Sequence, residues 1–395
     1  MIKFRFTKQK SIIHLPLDES KPTSCLSHSI IHSPYGEPKS IIYSPARQTL
    51  SKRSESKGFT IIELLVVIVV IGILAAITIV SYSAISSRVA SETLKQDLND
   101  GASRLKKYFY EYGAYPTSLD TNNCPTGTTN TIYCLKPSSG DSYTYNSASP
   151  YSTFSLTATK GSQSNYITQE GTQLSGPGPV LYLDAGISNS YPGYGTIWTD
   201  LSGKGNNGTL YSGVTYSSTN GGFLSFNGSA TGYVNVVNST SLNFGTGSFT
   251  IEAWIKFASY GGDYRTLISK GAGGGFSGWR FGLNIAGVPH ILIGDTVGYN
   301  DSDLGSTAVG LNAWHYLTVV FDRTSNATAY VDGVNKGSSS IATKNGSVDN
   351  TSGIAIGNSY AYYNGQIGAV YIRNVALSAS DINQNFNTLK GRYGL

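Results

Sequence analysis

One carboxylate stands inside a long apolar segment of the chain. Glu63 is the only residue charged at neutral pH between Phe59 and Ser87, and it lies about one helical turn inside the apolar run 59–80. Placing a carboxylate at mid-bilayer costs up to about 3 kcal/mol of free energy. A plain membrane anchor gains nothing from such a residue. The position therefore predicts that Glu63 has a partner; an ordinary anchor with an incidental glutamate is the alternative.

A second set of acidic side chains has the composition of a calcium site. Asp295, Asp301 and Asp303 lie with Asn300 in the stretch DTVGYNDSD. Calcium binds several oxygen ligands supplied by carboxylates and carbonyls of a loop. The stretch therefore predicts calcium as the one candidate cofactor, and a polar loop with solvated carboxylates is the alternative.

Acidic residues suited to hydrolysis are sparse. Retaining glycoside hydrolysis needs two carboxyl groups about 5.5 Å apart, but Glu252 is the only glutamate from residue 171 onward. No second acid shares its expected strand. His290 and His315 accompany no Cys or Ser nucleophile in a recognisable motif, and His315 is expected to be structural. The sequence therefore predicts that the chain is not an enzyme.

Two cysteines close a short loop. Cys124 and Cys134 are ten positions apart in CPTGTTNTIYC. In an exported protein this pair predicts a disulfide, worth about 2–3 kcal/mol by the loop-entropy estimate. Two separate thiols are the alternative, and a metal site is disfavoured because no histidine is nearby.

The apolar run continues into a long helix. At about 1.5 Å per residue, 59–80 is long enough to cross a bilayer, and an apolar stripe with helical spacing continues to residue 112. The break follows at Gly113 and Pro116. Lys52, Arg53 and Lys57 precede the span and predict a cytoplasmic N-terminus with an exported remainder. The sequence thus predicts a helix over 59–112 with a transmembrane half at 59–80.

The residues Gly58, Phe59 and Glu63, together with the apolar run, resemble the prepilin processing motif of type IV pilins and pseudopilins. The resemblance implies that a prepilin peptidase removes the leader 1–58 and methylates Phe59. It also implies that Glu63 pairs with the N-terminal amine of a neighbouring subunit, in a polymer of identical or different pilins. The expected route leads from the inner or plasma membrane to a filament on the cell surface. Residues 113–170 would form the small antiparallel head of an α+β pilin-like part.

Strand patterns dominate the rest of the chain. A Gly/Pro/Ser-rich linker is expected at 171–179, and residues 180–395 read as many short alternating strands with Gly, Asn and Asp turns. Such a pattern predicts an all-β jelly-roll sandwich. A closing helix is predicted after Ser378, with Asp381 in a capping box. Aromatic residues considered for stacking on sugars are Trp254, Trp279, Tyr360, Tyr362 and Tyr363, of which Trp254 is expected in the core.

Several phrases of this region coincide in order, among them VLYLD, FTIEAWIKF, AWHYLTVVFDRTSNATAYVDG and GQIGAVYIRNV. Together they resemble the laminin-G-like members of the concanavalin A-like lectin/glucanase superfamily. The resemblance implies a jelly roll, but this superfamily contains lectins, enzymes and adhesive spacers.

Charge excludes one class of partner. Residues 1–58 carry ten Lys or Arg and four Asp or Glu, whereas the remainder carries 18 and 19. The basic character lies in the expected leader, so nucleic acid is not an expected partner. The sequence predicts a filament subunit that displays a lectin-like domain for adhesion to a glycan or protein surface. A pseudopilin or structural surface protein with the sandwich as a non-binding spacer is the alternative.

Overall fold

The computed structural model describes residues 61–147, 149–271, 277–359 and 361–395, with residues 63 and 76–88 described by their backbone alone. The expected leader, 1–58, lies outside these residues. Contacts divide the chain into two compact units, Met1–Val66 and Val67–Leu395, and every element after the first helix belongs to the second unit.

A long helix, α1 (Ile61–Tyr112), follows the periodic apolar pattern. The C-terminal half buries apolar residues spaced by three or four positions: Leu94, Leu98, Ala102, Leu105 and Tyr108. This spacing places them on one helical face. Gly113 comes next with a φ of 74°, the left-handed conformation that commonly ends a helix. The expected helix 59–112 is therefore present from Ile61 onward.

The expected transmembrane half, 59–80, includes positions whose side chains are not described. Within the described residues, no helix combines the length and apolar character needed to span a membrane.

A small antiparallel sheet packs on α1. Its strands pair in sequence order: β1 (Ser142–Asn146), β2 (Ser155–Lys160), β3 (Gln163–Thr168) and β4 (Gln173–Ser175). Phe154, Leu156 and Ile167 share one buried cluster with the apolar face of α1, so the sheet covers the face that the sequence pattern leaves apolar. Cys124 and Cys134 form the expected disulfide in the loop before β1.

The expected linker, 171–179, is structured. Strand β4 lies inside it and pairs with β3. The Ser175 amide donates to Asn385 Oδ1 at 2.7 Å, and the Gly178 amide donates to Thr157 Oγ1 at 3.1 Å. The segment predicted as a linker thus contains a strand, because most backbone polar groups of buried segments need partners and this segment finds them in the sheet and in the domain that follows.

Sixteen further strands follow in the described residues: β5 (Leu181–Asp184), β6 (Ile197–Trp198), β7 (Gly208–Leu210), β8 (Val214–Ser217), β9 (Phe223–Asn227), β10 (Val234–Val236), β11 (Phe249–Phe257), β12 (Arg265–Gly271), β13 (Gly278–Leu283), β14 (Pro289–Asp295), β15 (Gly298–Asp303), β16 (His315–Phe321), β17 (Asn326–Val331), β18 (Val334–Ser340), β19 (Ile354–Ile356) and β20 (Asn364–Arg373). They form two sheets that pack as a sandwich.

The first sheet, called the open sheet below, has the strand order β15-β14-β13-β12-β19-β10-β7-β6. The second, called the covered sheet, has the order β18-β17-β16-β11-β20-β9-β8, with β5 paired to β20. Side chains of both sheets fill one apolar core, in which β11 contributes alternate residues such as Ile251, Ala253 and Ile255. This alternation is the one that the sequence predicts for β11.

The outer face of the covered sheet is buried as well. Helix α2 (Ala379–Leu389) lies in this region, and its N-cap Ser378 forms the expected capping box with Asp381. A second apolar cluster joins side chains of the covered sheet, the C-terminal segment and the small sheet: Trp254, Tyr316, Tyr371, Ile382, Tyr393, Tyr166 and Leu174 among others. The small sheet and the sandwich therefore share a hydrophobic core.

Candidate functional site

The residues expected to act in processing and assembly lie at the edge of the described chain. Gly58 and Phe59 are outside the described residues. Glu63 is a helical position of α1, and its side chain is not described. On both sides of Glu63, the apolar side chains from Ile61 to Leu74 have exposed fractions between 48% and 82%. An apolar surface of this extent marks a site of contact with a membrane or another protein.

The three acids expected to bind calcium do not share one loop. Residues 298–303 form strand β15, so Asp301 and Asp303 lie in a hairpin with β14. The Asp295 carboxylate caps the turn by accepting from the amides of Val297 and Gly298, each at 3.0 Å. Within the described residues, no group of three or more His, Cys, Asp or Glu side chains is placed to hold a metal ion. The geometry gives the calcium prediction no support.

Instead, two of these acids bind a histidine. Asp303 Oδ1 lies 2.7 Å from His290 Nδ1, and Asp301 contacts Nε2 of the same ring. The Tyr264 ring packs on His290 with centroids 4.3 Å apart. His290 is buried, whereas both acids are exposed. The spacing of Asp301 and Asp303, two positions apart on a strand, places both carboxylates on one face, a signal that sequence reasoning missed when it treated the segment as a loop.

The only glutamate of the sandwich is closed to solvent. Glu252 accepts from Arg373 Nε at 2.6 Å, from Asn385 Nδ2 at 3.1 Å and from the Tyr316 hydroxyl. Burial lowers the pKa of Arg373, but the Glu252 carboxylate more than offsets this, so the pKa is raised and the guanidinium stays charged. These four residues are called the buried clasp below. A carboxylate enclosed in this way has no path to a substrate.

The buried clasp also binds the segment before the sandwich. Arg373 Nη1 donates to the carbonyl of Pro177, and its guanidinium lies 4.9 Å from the ring centroid of Tyr166 on β3. Asn385 also accepts from the Ser175 amide. The clasp therefore fixes the sandwich to the small sheet.

A polar cleft of about 820 Å³ opens beside this contact. Residues of α1, the β2–β3 turn and α2 line it, including Ser91, Gln163, Asp381 and Gln384. The Asp381 carboxylate already caps α2 and accepts from Ser175 Oγ. Some polar groups that line the cleft therefore already bind each other, since Asp381 of α2 contacts Ser175 of β4.

Most of the aromatic residues expected to stack on sugars are internal. Trp254 on β11, Trp279 on β13 and Tyr363 directly before β20 have no exposed surface, because all three lie in the two apolar clusters. Tyr362 is half-buried, and Tyr360 lies outside the described residues. The prediction of an exposed aromatic side chain is therefore wrong for Trp279 and Tyr363. Trp254 was predicted to lie in the core, and it does.

Other tyrosines occupy the surface. Tyr211 directly follows β7 and Tyr233 directly precedes β10, and their rings stack with centroids 4.3 Å apart and planes at 10°. Tyr211 is 44% exposed and Tyr194, before β6, is 76% exposed. Tyr211 and Tyr233 are called the tyrosine patch below. The sequence analysis did not predict this patch, although the pairing of β7 with β10 makes the rings of Tyr211 and Tyr233 cross-strand neighbours.

Two family models match separate parts of the chain. Residues 53–79 match the prokaryotic N-terminal methylation motif, which includes Gly58, Phe59 and Glu63. Residues 227–383 match the concanavalin A-like lectin/glucanases superfamily. Both resemblances read from the sequence are thereby confirmed.

Solved structures that resemble the chain include two toxin domains. The binding domain of Paraclostridial Mosquitocidal Protein 1 is 21% identical, with a TM-score of 0.44, over 53% of this chain and 52% of that one. The binding domain of Botulinum Neurotoxin serotype G is 18% identical, with a TM-score of 0.39, over 53% and 50%. The chain thus spans about half the length of these structures, and scores this low carry no argument about ligand or activity. No curated protein matches the chain.

Proposed function

We propose that this chain, which combines a prokaryotic N-terminal methylation motif with a concanavalin A-like domain, is a subunit of a type IV pilus or related filament that displays the sandwich for adhesion. The observation that carries the proposal is the presence of both modules in one chain. The methylation motif belongs to a precursor that is anchored in a membrane and later enters a filament, and the sandwich is the part that such a filament would present outside the cell.

The N-terminal segment supplies the assembly step. A prepilin peptidase cuts after Gly58 and methylates Phe59, and Glu63 then pairs with the new amine of a neighbouring subunit. The exposed apolar side chains from Ile61 to Leu74 gain cover first from the membrane and then from identical or different pilins. Each buried methylene group contributes about 0.8 kcal/mol to such packing.

The first elements of the chain support a pilin-like α+β part. Helix α1 carries the four-stranded sheet on the apolar face of its C-terminal half, which favours a long helix with a small antiparallel head. Residues 180–395 then form the displayed module. The buried clasp supports transmission of load from the sandwich to the helix, since it replaces a flexible tether by buried contacts.

Adhesion by a filament needs only weak sites. Many copies of one module along a filament raise the effective concentration of binding sites, so the total attachment exceeds the affinity of one copy by about 10²–10⁴-fold. The outer face of the open sheet, at the edge formed by β6 and β7, carries the exposed side chain of Tyr211, and it is the face that we assign to a surface glycan or protein.

A Glu63→Val variant tests the proposal. The change removes a charge from the apolar segment, so membrane insertion is expected to persist while the amine of the neighbouring subunit loses its partner. We expect the variant in the membrane fraction, its absence from sheared filaments, and loss of cell adhesion. Ile62→Val is the matched control and should assemble and adhere normally.

Two results would count against the proposal. Glu63→Val filaments in normal amounts would remove the assembly role of the carboxylate. Unchanged adhesion by cells that lack the filament would show that the sandwich does not act as the adhesin and would favour the spacer.

A further inference from the structure

The tyrosine patch is a fixed aromatic surface at one edge of the open sheet. The Tyr211 amide donates to the Tyr233 carbonyl at 2.9 Å, so backbone pairing extends past β7 to the stacked rings. Leu210 and Val234, the neighbours of these tyrosines, point into the core. Because side chains alternate along a strand, Tyr211 and Tyr233 point outward. The stack fixes both rings before any ligand arrives, which lowers the entropic cost of binding.

Polar side chains continue the same face. Thr209 and Asn235 pair directly across β7 and β10, two positions from the two rings and on the same side of the sheet. Both residues are half-buried. Among the described residues, neither the Thr209 hydroxyl nor the Asn235 amide has a hydrogen-bond partner. The face therefore offers an aromatic plate beside one hydroxyl and one amide that are available to a ligand.

The segments that form this face contain no charged residue. Residues 185–199, 205–251 and 350–372 contain no Asp, Glu, Lys, Arg or His. These segments include β6, β7, β10 and β19, the four strands at this edge of the open sheet. The same segments are rich in Tyr, Asn, Ser, Thr and Gly. Tyrosine combined with small polar residues supplies rigid contact area and adaptable hydrogen bonds, and these segments offer no counter-charge to a charged ligand.

We propose that the tyrosine patch, with Thr209 and Asn235, binds a neutral saccharide. The C–H groups of one pyranose face pack on the Tyr211 ring, and the ring hydroxyls exchange hydrogen bonds with the Thr209 hydroxyl and the Asn235 amide. An amide both donates and accepts, as a sugar hydroxyl does, so the two are complementary without charge. This inference rests on the proposed adhesive function and names its ligand class and its surface. The acids around His290 lie at the opposite edge of the open sheet and take no part.

Binding of neutral polysaccharides to the purified full chain in detergent tests this inference. Dextran, mannan and galactan are the neutral probes, and heparin is the charged comparison, each measured by surface plasmon resonance. We expect binding to at least one neutral probe and none to heparin. Tyr211→Ala should weaken that binding about tenfold or more, since it removes stacking area and the fixed ring pair. Tyr211→Trp should retain it, because an aromatic face remains.

Two further variants protect the test against misfolding. Asn235→Ala removes one polar partner from the surface and should weaken binding without a change in melting temperature. Tyr299→Ala is the matched control, since Tyr299 is 53% exposed on β15 at the opposite edge, and it should bind as the wild type does.

The inference is overturned if the folded wild type binds no neutral probe, or if Tyr211→Ala and Asn235→Ala bind as tightly as Tyr299→Ala. The proposed function is judged separately. Filament-dependent adhesion to a protein surface, without saccharide binding, would refute this inference and leave the adhesive function standing.

Discussion

The Glu252 carboxylate lies where the sandwich meets the small sheet, and Arg373, Asn385 and Tyr316 donate to it. A buried ion pair adds little stability by itself because both charges lose their hydration. Removing only one partner is strongly destabilising, since the other charge then stays buried without compensation. The clasp is therefore best understood as a device that specifies one arrangement of the two parts.

Glu252→Ala should lower the free energy of unfolding by about 3–5 kcal/mol, because it leaves the Arg373 guanidinium buried without its carboxylate. Urea unfolding followed by tryptophan fluorescence measures this directly, since all four tryptophans lie in the sandwich. Glu92→Ala is the matched control. It breaks the exposed pair with Lys95 and should change stability by less than about 0.5 kcal/mol. Equal effects of the two substitutions would contradict the role of the clasp.

Asp322 gives the sandwich a dependence on acid. The hydroxyls of Thr324 and Ser325 donate to its carboxylate, each at 2.7 Å, and these bonds lower the pKa of Asp322. A carboxyl group with a lower pKa in the folded state stabilises the fold above the unfolded pKa of about 3.9, and this contribution is lost as the pH falls.

We therefore expect the free energy of unfolding to decrease from about pH 5 towards pH 2, and to decrease less in Asp322→Asn than in the wild type. Chemical unfolding at several pH values measures the two curves. Parallel curves for the two proteins would show that the Asp322 carboxylate does not contribute to the acid sensitivity.

At the scale of single residues, the sequence indicated the structural role of His315, which binds Asp332 at 2.8 Å. It did not indicate the partners of Glu252. Arg373, Tyr316 and Asn385 are 121, 64 and 133 positions away, and no local pattern encodes such pairings. The Asp301–His290–Asp303 contact was missed for a different reason, because residues 295–303 were interpreted as a loop and not as part of a hairpin.

Among the elements, long periodic segments were predictable and short ones were not. Helix α1 and strand β11 each repeat an apolar pattern over several residues. The start of α2 is marked by a specific residue pair, the capping box of Ser378 and Asp381. Strand β4 has three residues and stands in a Gly/Pro-rich stretch, so the local signal favoured a linker. Pairing with β3 and contact with α2 decide its structure instead.

Strand β4 should consequently matter more than its length suggests. Leu174 is buried in the cluster that the small sheet shares with the sandwich, so Leu174→Ala should cost about 2–5 kcal/mol through lost burial and the remaining cavity. Val297→Ala, at an 86% exposed turn position, is the control and should cost less than about 0.5 kcal/mol. Tryptophan fluorescence in urea reports both. A neutral Leu174→Ala would mean that β4 acts as a mere tether.

For the whole molecule, the structure joins what the sequence divides. Composition separates a helix, a small head, a linker and a sandwich, and the two family matches fall at opposite ends of that series. The shared cluster and the buried clasp connect the head and the sandwich by contacts between residues far apart in sequence. Composition and periodicity report local preferences, so a contact of this kind could not be read from them.

The central claim is that the chain enters a surface filament with its sandwich attached, and mass spectrometry of sheared surface filaments tests it most directly. The account predicts an N-terminal peptide that begins at Phe59 and carries one methyl group on its amine, together with peptides from the sandwich in the same fraction. Filaments without this chain, or a surface-exposed chain that retains residues 1–58, would contradict it.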